Sequence, residues 1–295
     1  VKIFQAFSHQ DQIPFLYPAA TRLHIDHIGH IHFREYELMK KIHSNLDVGD
    51  GEPWGLLSWK FELKTQVHTS DFASFSNKKF SEGVDCVFIN PMIGNEAIYT
   101  NVWEQAEDVG HYSITEVARK LSPMKAPFFR NLMGTNSFSL CNYFIATKFF
   151  WVDYFRYVDE NLQNLEDECT QSNSFSEIYL GSGHYHRDKR ISMRPFVIER
   201  LFSNFIYCNN KFRCESYPFE LNAYVSKFGS KLGNLLFKLS YLKNKGIKNE
   251  DNALIERWNK MRQVVLSDPY KLAIWHLDDP AAFYTFQDFE NFMTS

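Results

Sequence analysis

Apolar residues along this chain change their period several times, and each change predicts an element. The opening "VKIFQAF" (1–7) predicts a buried strand rather than a signal peptide, and the polar "SHQDQIP" beyond it predicts a turn. In "EYELMKKIHSNL" (35–46), Leu38, Met39, Ile42 and Leu46 recur at helical spacing, and "DVGDGEP" ends that helix. "LLSWKFELK" (56–64) alternates: Leu57, Trp59, Phe61 and Leu63 against Ser58, Lys60, Glu62 and Lys64. That is the period of a half-buried strand, with a passage into helix near Trp59 as the alternative. "DCVFIN" (85–90) predicts another strand, "NVWEQAEDVGH" (101–111) a helix around Glu104 to Glu107, and 136–148 an extended segment followed by an amphipathic helix from "FFWVDYFRYVDENL".

Residues 163–176 are polar and predict a loop. "PFVIERLFSNFIY" (195–207) places Val197, Ile198, Leu201, Phe202, Phe205 and Ile206 on one helical stripe. Glu199, Arg200, Ser203 and Asn204 fall on the other, with Pro195 suited to the first turn. From 226 onward Phe228, Leu232, Leu235, Leu236, Leu239 and Leu242 repeat at helical spacing. "KNKGIKNED" then breaks the chain before "NALIERWNKMRQVVL", which predicts a helical hairpin. No repeat of solenoid period is present.

A chain of 295 residues with 44% hydrophobic and 23% charged content fits one large α/β domain, or a core domain with an appended helical segment. No apolar run reaches the length of a membrane span. A net charge of −3 argues against a general nucleic-acid binder. The odd set Cys86, Cys141, Cys169, Cys208 and Cys214 contains no C-x-x-C pair, so it encodes neither a disulfide scaffold nor a zinc knuckle and suggests reduced thiols in a cytoplasmic protein. Aromatic residues make up 17%, with 28 Phe and 15 Tyr, enough to build a large aromatic core and to leave a few rings for stacking on a ligand.

Candidate chemistry is sparse. The cluster "HIDHIGHIH" holds His24, Asp26, His27, His30 and His32, and on a helix His27 and His30 would share a face that suits zinc. The H-E-x-x-H order is absent and Gly29 weakens a helix, so a surface loop or cleft lining is the favoured reading. No G-x-S-x-G elbow, phosphate-binding P-loop or G-x-G-x-x-G is present. "GSGHYH" (181–186) predicts a flexible loop, with His184, His186 and Arg187 as alternative phosphate contacts. An Asp-x-Asp pair, which would hold a divalent ion against a diphosphate, is missing: Asp85 stands alone, and Asp278 and Asp279 are adjacent and suit a turn. Leaving-group charge would then fall to Lys60, Lys64, Arg194 or Arg200 and to helix N-termini.

Five segments in order, "WGLLSWKFELKT" (54–65), "VDCVFINP" (84–91), "NVWEQAEDVGH" (101–111), "NSFSLCNYFIATKFFW" (136–151) and "RPFVIERLFSNF" (194–205), resemble bacterial surface-polysaccharide glycosyltransferases of capsule and lipopolysaccharide synthesis. The resemblance covers roughly residues 1–207 and rests on pattern and order. It implies an α/β fold with a GT-A-like Rossmann-type nucleotide-sugar-binding domain over 1–225, and a helical hairpin extension over 226–295 packed on it. The implied partners are a nucleotide-sugar donor and a glycan acceptor, with no nucleic acid. Manganese or magnesium accompanying the donor is left open, and no metal ligands are assigned.

By position, the resemblance puts Lys60, Lys64, Asn90, Arg194 and Arg200 at the donor and its phosphates. Asn101, Trp103, Glu104, His111, Asn142 and Tyr143 fall to the sugar and acceptor, and Glu199, Glu107 and Asp85 compete for the role of base. Each has a structural alternative: Asp85 flanking its strand, Trp103 in the core, Glu199 paired with an arginine of its own helix, Asn142 and Tyr143 closing a strand, Lys60 and Lys64 solvated. Asp85 and Asn90 are five residues apart, more than about 15 Å along a strand, so both cannot touch one small group, and Asn90 or the loop after it is the better candidate for ligand contact, with Asp85 structural.

The runner-up is a carbohydrate-binding or assembly protein of the same fold without catalysis. A histidine-metal hydrolase built on 24–32 is a weaker third. The hairpin lysines Lys227, Lys231, Lys238, Lys243, Lys245 and Lys248 add a peripheral contact with the inner face of a membrane as an option beside a solvated helix face.

Overall fold

The computed structural model describes residues 1–25, 34–45, 51–111, 113–121, 131–181, 192–267 and 274. Strands β1 (Lys2–Phe7) and β2 (Thr21–His24) are joined through a 3-10 turn at Gln10–Phe15, and α1 (Arg34–Asn45) precedes β3 (Trp54–Ser58). Two helices, α2 (Phe61–Thr65) and α3 (Thr69–Ser81), lead to β4 (Cys86–Phe88). Between β4 and β5 (Phe144–Ala146) lie α4 (Ile93–Ile98), α5 (Val102–Asp108) and α6 (Ile114–Ala118). Helices α7 (Lys148–Gln171), α8 (Asn173–Leu180) and α9 (Arg194–Cys208) follow, then β6 (Cys214–Ser216) and the hairpin of α10 (Leu221–Asn249) and α11 (Asn252–Leu266).

The strands form one mixed sheet in the order β2-β1-β3-β5-β4-β6. β1 is parallel to β2 and β3, β4 is parallel to β6, and β5 runs antiparallel to both its neighbours. The fold class is therefore α/β. Strands β1, β3, β4 and β5 are buried almost throughout, as expected of a sheet covered on both faces.

One face carries α1, α7 and α9 on an aromatic layer. Trp54 stacks on Trp151 with centroids 4.2 Å apart and planes 10° apart, and Phe144 stacks on Phe202 at 4.2 Å. On the opposite face Tyr143 meets Phe61 of α2, and Tyr217 meets Phe72 and Phe75 of α3. The aromatic content is thus spent mainly in the core. Gly55 is required where β3 meets β5: a Cβ there would overlap Phe144 O and lie 2.9 Å from Ile145 Cγ1.

The hairpin clamps α4. Lys243 donates to Glu96 O and Tyr99 O, Trp258 Nε1 to Ala97 O, and Arg262 to Ile98 O. Gly229 is not helical (φ 77°, ψ 165°) and kinks α10 near its start. Among the described residues no helix is long and apolar enough to cross a membrane.

Several expected elements differ. Residues 163–176 are not a loop: α7 runs to Gln171 and α8 starts at Asn173, because Leu162 and Leu165 continue the buried stripe of Tyr154, Phe155 and Val158. The alternation after β3 ends at Ser58, and α2 takes over at Phe61. Of the segment 136–148 only Phe144–Ala146 is strand. The supposed polar face of α9 is also largely internal, with Arg200, Ser203 and Asn204 all buried. Each has a polar partner across a helix or loop: Arg200 with Gln105 Oε1, Ser203 with Ser139, and Asn204 with Trp103 Nε1.

Candidate functional site

In an open α/β sheet, ligands bind outside the carboxyl ends of the parallel strands, where successive connections leave in opposite directions. Here that point lies between β1 and β3, since β1 is followed by β2 on one side and neighboured by β3 on the other. Ser58 ends β3, Trp59 N donates to Ala6 O, and Gln5, fully buried, accepts from Tyr17 N and donates to Ser58 O. Trp59 lies with its ring centroid 5.9 Å from that of Phe15, and Lys60 Nζ is 5.1 Å from the Trp59 ring. Lys60 therefore sits at the edge of an aromatic pair rather than on a strand.

Because β5 is antiparallel, it enters at the edge where β3 and β4 leave. Ile89 N donates to Tyr143 O, and the Tyr143 hydroxyl shares a 2.5 Å hydrogen bond with Ser58 Oγ. Burial holds the Tyr143 phenol above its ordinary range, so it stays neutral. Just before it, Cys141 (φ 70°) and Asn142 (φ 51°) are both left-handed. That conformation is sparsely populated for residues other than glycine, though Asn tolerates it better than most, and it persists only where the surroundings impose it. Glu199 Oε1 accepts from Cys141 N at 2.7 Å, Lys64 Nζ reaches Cys141 Sγ at 3.3 Å, and Ser203 brackets Ser139 through both its N and its O.

The corner is thus braced from α2 and from α9. Asn142 is buried, and its Oδ1 has no hydrogen-bond partner among the described residues. Lys227 of α10 closes the same edge, donating to Pro91 O at 2.6 Å and to Lys64 O at 3.4 Å. Glu35, at the start of α1, is near enough to act electrostatically on Tyr143.

Lys64, Asn142, Tyr143 and Glu199 therefore meet. Asn90 lies at the same edge, but its side chain closes its own turn, accepting from Met92 N and donating to Met92 O. Asp85 is at the far end of β4, where it accepts from Arg213 N. Glu107 accepts from Ser113 N and from Thr115 N and Oγ1, capping α6. Glu104 accepts from Thr100 N and Oγ1 and pairs with Arg262. Asn101 caps α5 through Trp103 N and Glu104 N, and Trp103 is core.

His111 is buried against Phe196, with ring centroids 4.1 Å apart. Arg200, 2% exposed, binds Val102 O, Phe196 O and Gln105 Oε1 inside the fold. Arg194 grips Glu166 with one nitrogen on both oxygens, at 2.6 and 2.7 Å, and lies over Tyr179. It stands about 140° around α9 from Glu199, so the two arginine and glutamate positions do not converge.

Ser58, Cys141, Gln5 and Glu35 carry no sequence signal for this site, and the sequence marks Lys227 only as one of the hairpin lysines. They belong to different segments and meet only through the sheet. Asp26, His27, His30, His32, His184, His186, Arg187, Asp278 and Asp279 lie outside the described residues. Of the histidine cluster, His24 is described: it is exposed, with its ring 5.0 Å from Phe7. No group of three His, Cys, Asp or Glu able to hold a metal occurs among the described residues. No family model, curated protein or solved structure matches the chain.

Proposed function

We propose that the chain is a glycosyltransferase that moves a sugar from a nucleotide-activated donor to a growing glycan, with a GT-A-like domain carrying the site. The observation that bears most weight is the braced Cys141–Asn142 corner at the carboxyl edge of the sheet. A strained corner held from two helices, next to a buried acceptor without a hydrogen-bond partner among the described residues, fits a site shaped for a polyhydroxylated ligand. The sheet, with a single antiparallel strand among parallel neighbours, is compatible with a GT-A-like domain.

In this reading the donor's nucleobase lies near the switch point beside Trp59 and Phe15. Glu199 takes the proton of the acceptor hydroxyl, whose oxygen bonds to the anomeric carbon. The bond to the diphosphate breaks, the nucleoside diphosphate leaves with the electron pair, and Lys64 offsets its charge. A divalent ion on the donor would share that last task.

Nucleotide binding is tested by thermal unfolding with UDP, GDP, CMP and dTDP, each with and without manganese. A nucleotide at about a hundred times its dissociation constant adds roughly 2.7 kcal/mol and should raise the transition by a few degrees. Glu199→Gln keeps an oxygen to accept from Cys141 N but gives up the charge 3.7 Å from the buried Arg200, its partner on the same helix, so it should lower the melting temperature only slightly while lowering transfer by roughly 10²–10⁴-fold. Undiminished transfer by that variant sinks the assignment of the base.

One observation favours the runner-up, a carbohydrate-binding protein without catalysis: Asp85, Glu104 and Glu107 are all engaged in holding backbone, and Glu199 itself accepts from Cys141 N. It gains the lead if no nucleotide shifts the transition and glycans do.

A further inference from the structure

Helix α10 carries Lys227, Lys231, Lys238, Lys243, Lys245 and Lys248 and not one acid, in a chain whose net charge is −3. The structure sorts these lysines into two groups. Lys243 is buried and Lys227 is tied to the carbonyls of Pro91 and Lys64, so neither is available to a partner. Lys231, Lys238, Lys245 and Lys248 are exposed, and none of them forms an ion pair among the described residues.

At 100° per residue these four fall within an arc of about 100°, along about 26 Å of helix. Between them Tyr241 is 55% exposed, with Lys245 Nζ 5.5 Å from its ring centroid. The helix behind this row is immobilised, because Lys243, Ser240 and Asn244 on its other side are bonded to α4 and to Thr135.

We infer that this row is a docking face for an anionic lipid bilayer, on which α10 lies parallel to the membrane plane. A straight row of charges on a rigid helix reaches a flat anionic surface with every member at once, whereas a curved partner would meet only part of it. The composition of the face agrees: lysines whose stems can lie along the interface while the ammonium groups meet headgroup phosphates, and an exposed tyrosine of the kind that settles at headgroup level. Arginine, favoured for bidentate grips on nucleic-acid phosphates, is absent from α10. Each lysine near such a surface raises partitioning roughly fivefold, so four raise it by several hundredfold, with loss of the effect in high salt. The inference does not depend on the transferase reading.

The test is co-sedimentation of the full chain with vesicles of phosphatidylcholine alone and of phosphatidylcholine with phosphatidylglycerol. The chain should bind only the latter, in a salt-sensitive way. Replacing Lys231, Lys238, Lys245 and Lys248 together with Gln should reduce binding at least a hundredfold while the melting temperature holds. Tyr241→Ala should reduce it severalfold, a loss that attraction to a soluble polyanion would not show. The inference is overturned if the wild-type chain ignores anionic vesicles, or if the fourfold variant binds them undiminished. It is equally overturned if Tyr241→Ala leaves vesicle binding intact while a single-stranded RNA homopolymer competes fully for the face.

Discussion

Lys243 is the residue whose loss should cost this fold most for its size. Its side chain is fully buried, and its ammonium donates to Glu96 O at 2.6 Å and Tyr99 O at 2.8 Å, with Glu96 Oε1 at 3.8 Å. The rings of Phe138 and Trp258 flank it at 5.3 and 5.4 Å. Lys243→Met keeps much of the volume but strands two carbonyls and a buried carboxylate that retains only Ser240 and Asn244. Removing one partner of a buried pair costs about 3–5 kcal/mol. With about 2.1 cal/mol/K of unfolding entropy per residue, a chain of 295 residues should lose about 5–8 °C in melting temperature.

Lys245→Met, two residues on and exposed, is the control and should move by less than about 1 °C. Adding Glu96→Gln to Lys243→Met should recover part of the loss, since the two sites are coupled. Burial lowers the Lys243 pKa to about 8, outweighing the pull of Glu96, while the unfolded chain keeps the proton up to about 10.5. Between those values the unfolded state holds more protons, so this group's contribution to stability rises with pH. The gap between wild type and Lys243→Met, measured by urea unfolding, should therefore widen from about pH 8 to about pH 10. Equal melting temperatures for the Lys243 and Lys245 variants would refute the buried clamp.

Gly55→Ala should lower the melting temperature by several degrees, because the new Cβ meets the backbone of β5 and neither strand can yield; an unchanged transition would show that the two strands are not in this register. At high pH the buried phenols dominate. Tyr36, Tyr99, Tyr143 and Tyr154 are all held above their ordinary range, first of all by burial. Such groups lend stability that is present below about pH 10 and lost above it. Tyrosinate absorbance should then rise together with unfolding; ionisation of these phenols at ordinary pH in a folded chain would contradict their burial.

What the sequence reveals depends on whether the deciding contact is local. The hairpin is legible because Phe228, Leu232, Leu236 and Leu239 state a helical period within one segment. The break expected over "KNKGIKNED" is confined to its end: α10 stays helical to Asn249, and Gly246 serves the close approach of Ile255 rather than a turn. The helix through 163–171 is legible too, in Leu162 and Leu165 rather than in the polar residues around them, since Glu, Gln and Leu are sound helix formers. The polar side of α9 was not. Arg200, Ser203 and Asn204 form the same pattern whether they face water or the polar groups of Gln105, Ser139 and Trp103, and those lie 95, 64 and 101 residues away.

The candidate site depends on one feature of the sheet that local pattern cannot express. "FIA" at β5 reads alike in a parallel or an antiparallel strand. Were β5 parallel, its exit at Thr147 would stand at the carboxyl edge, and the Cys141–Asn142 corner would fall at the opposite end, beside Asp85. Running antiparallel, it delivers the entry loop instead, and so brings Tyr143 to Ser58, Cys141 to Lys64 and the Cys141 amide to Glu199. Those residues are spread from β3 to α9 and have no common motif. Their meeting is a property of strand direction, which is why only resemblance points to Asn142 and Tyr143 while nothing in the sequence marks Ser58 or Cys141 as part of a site.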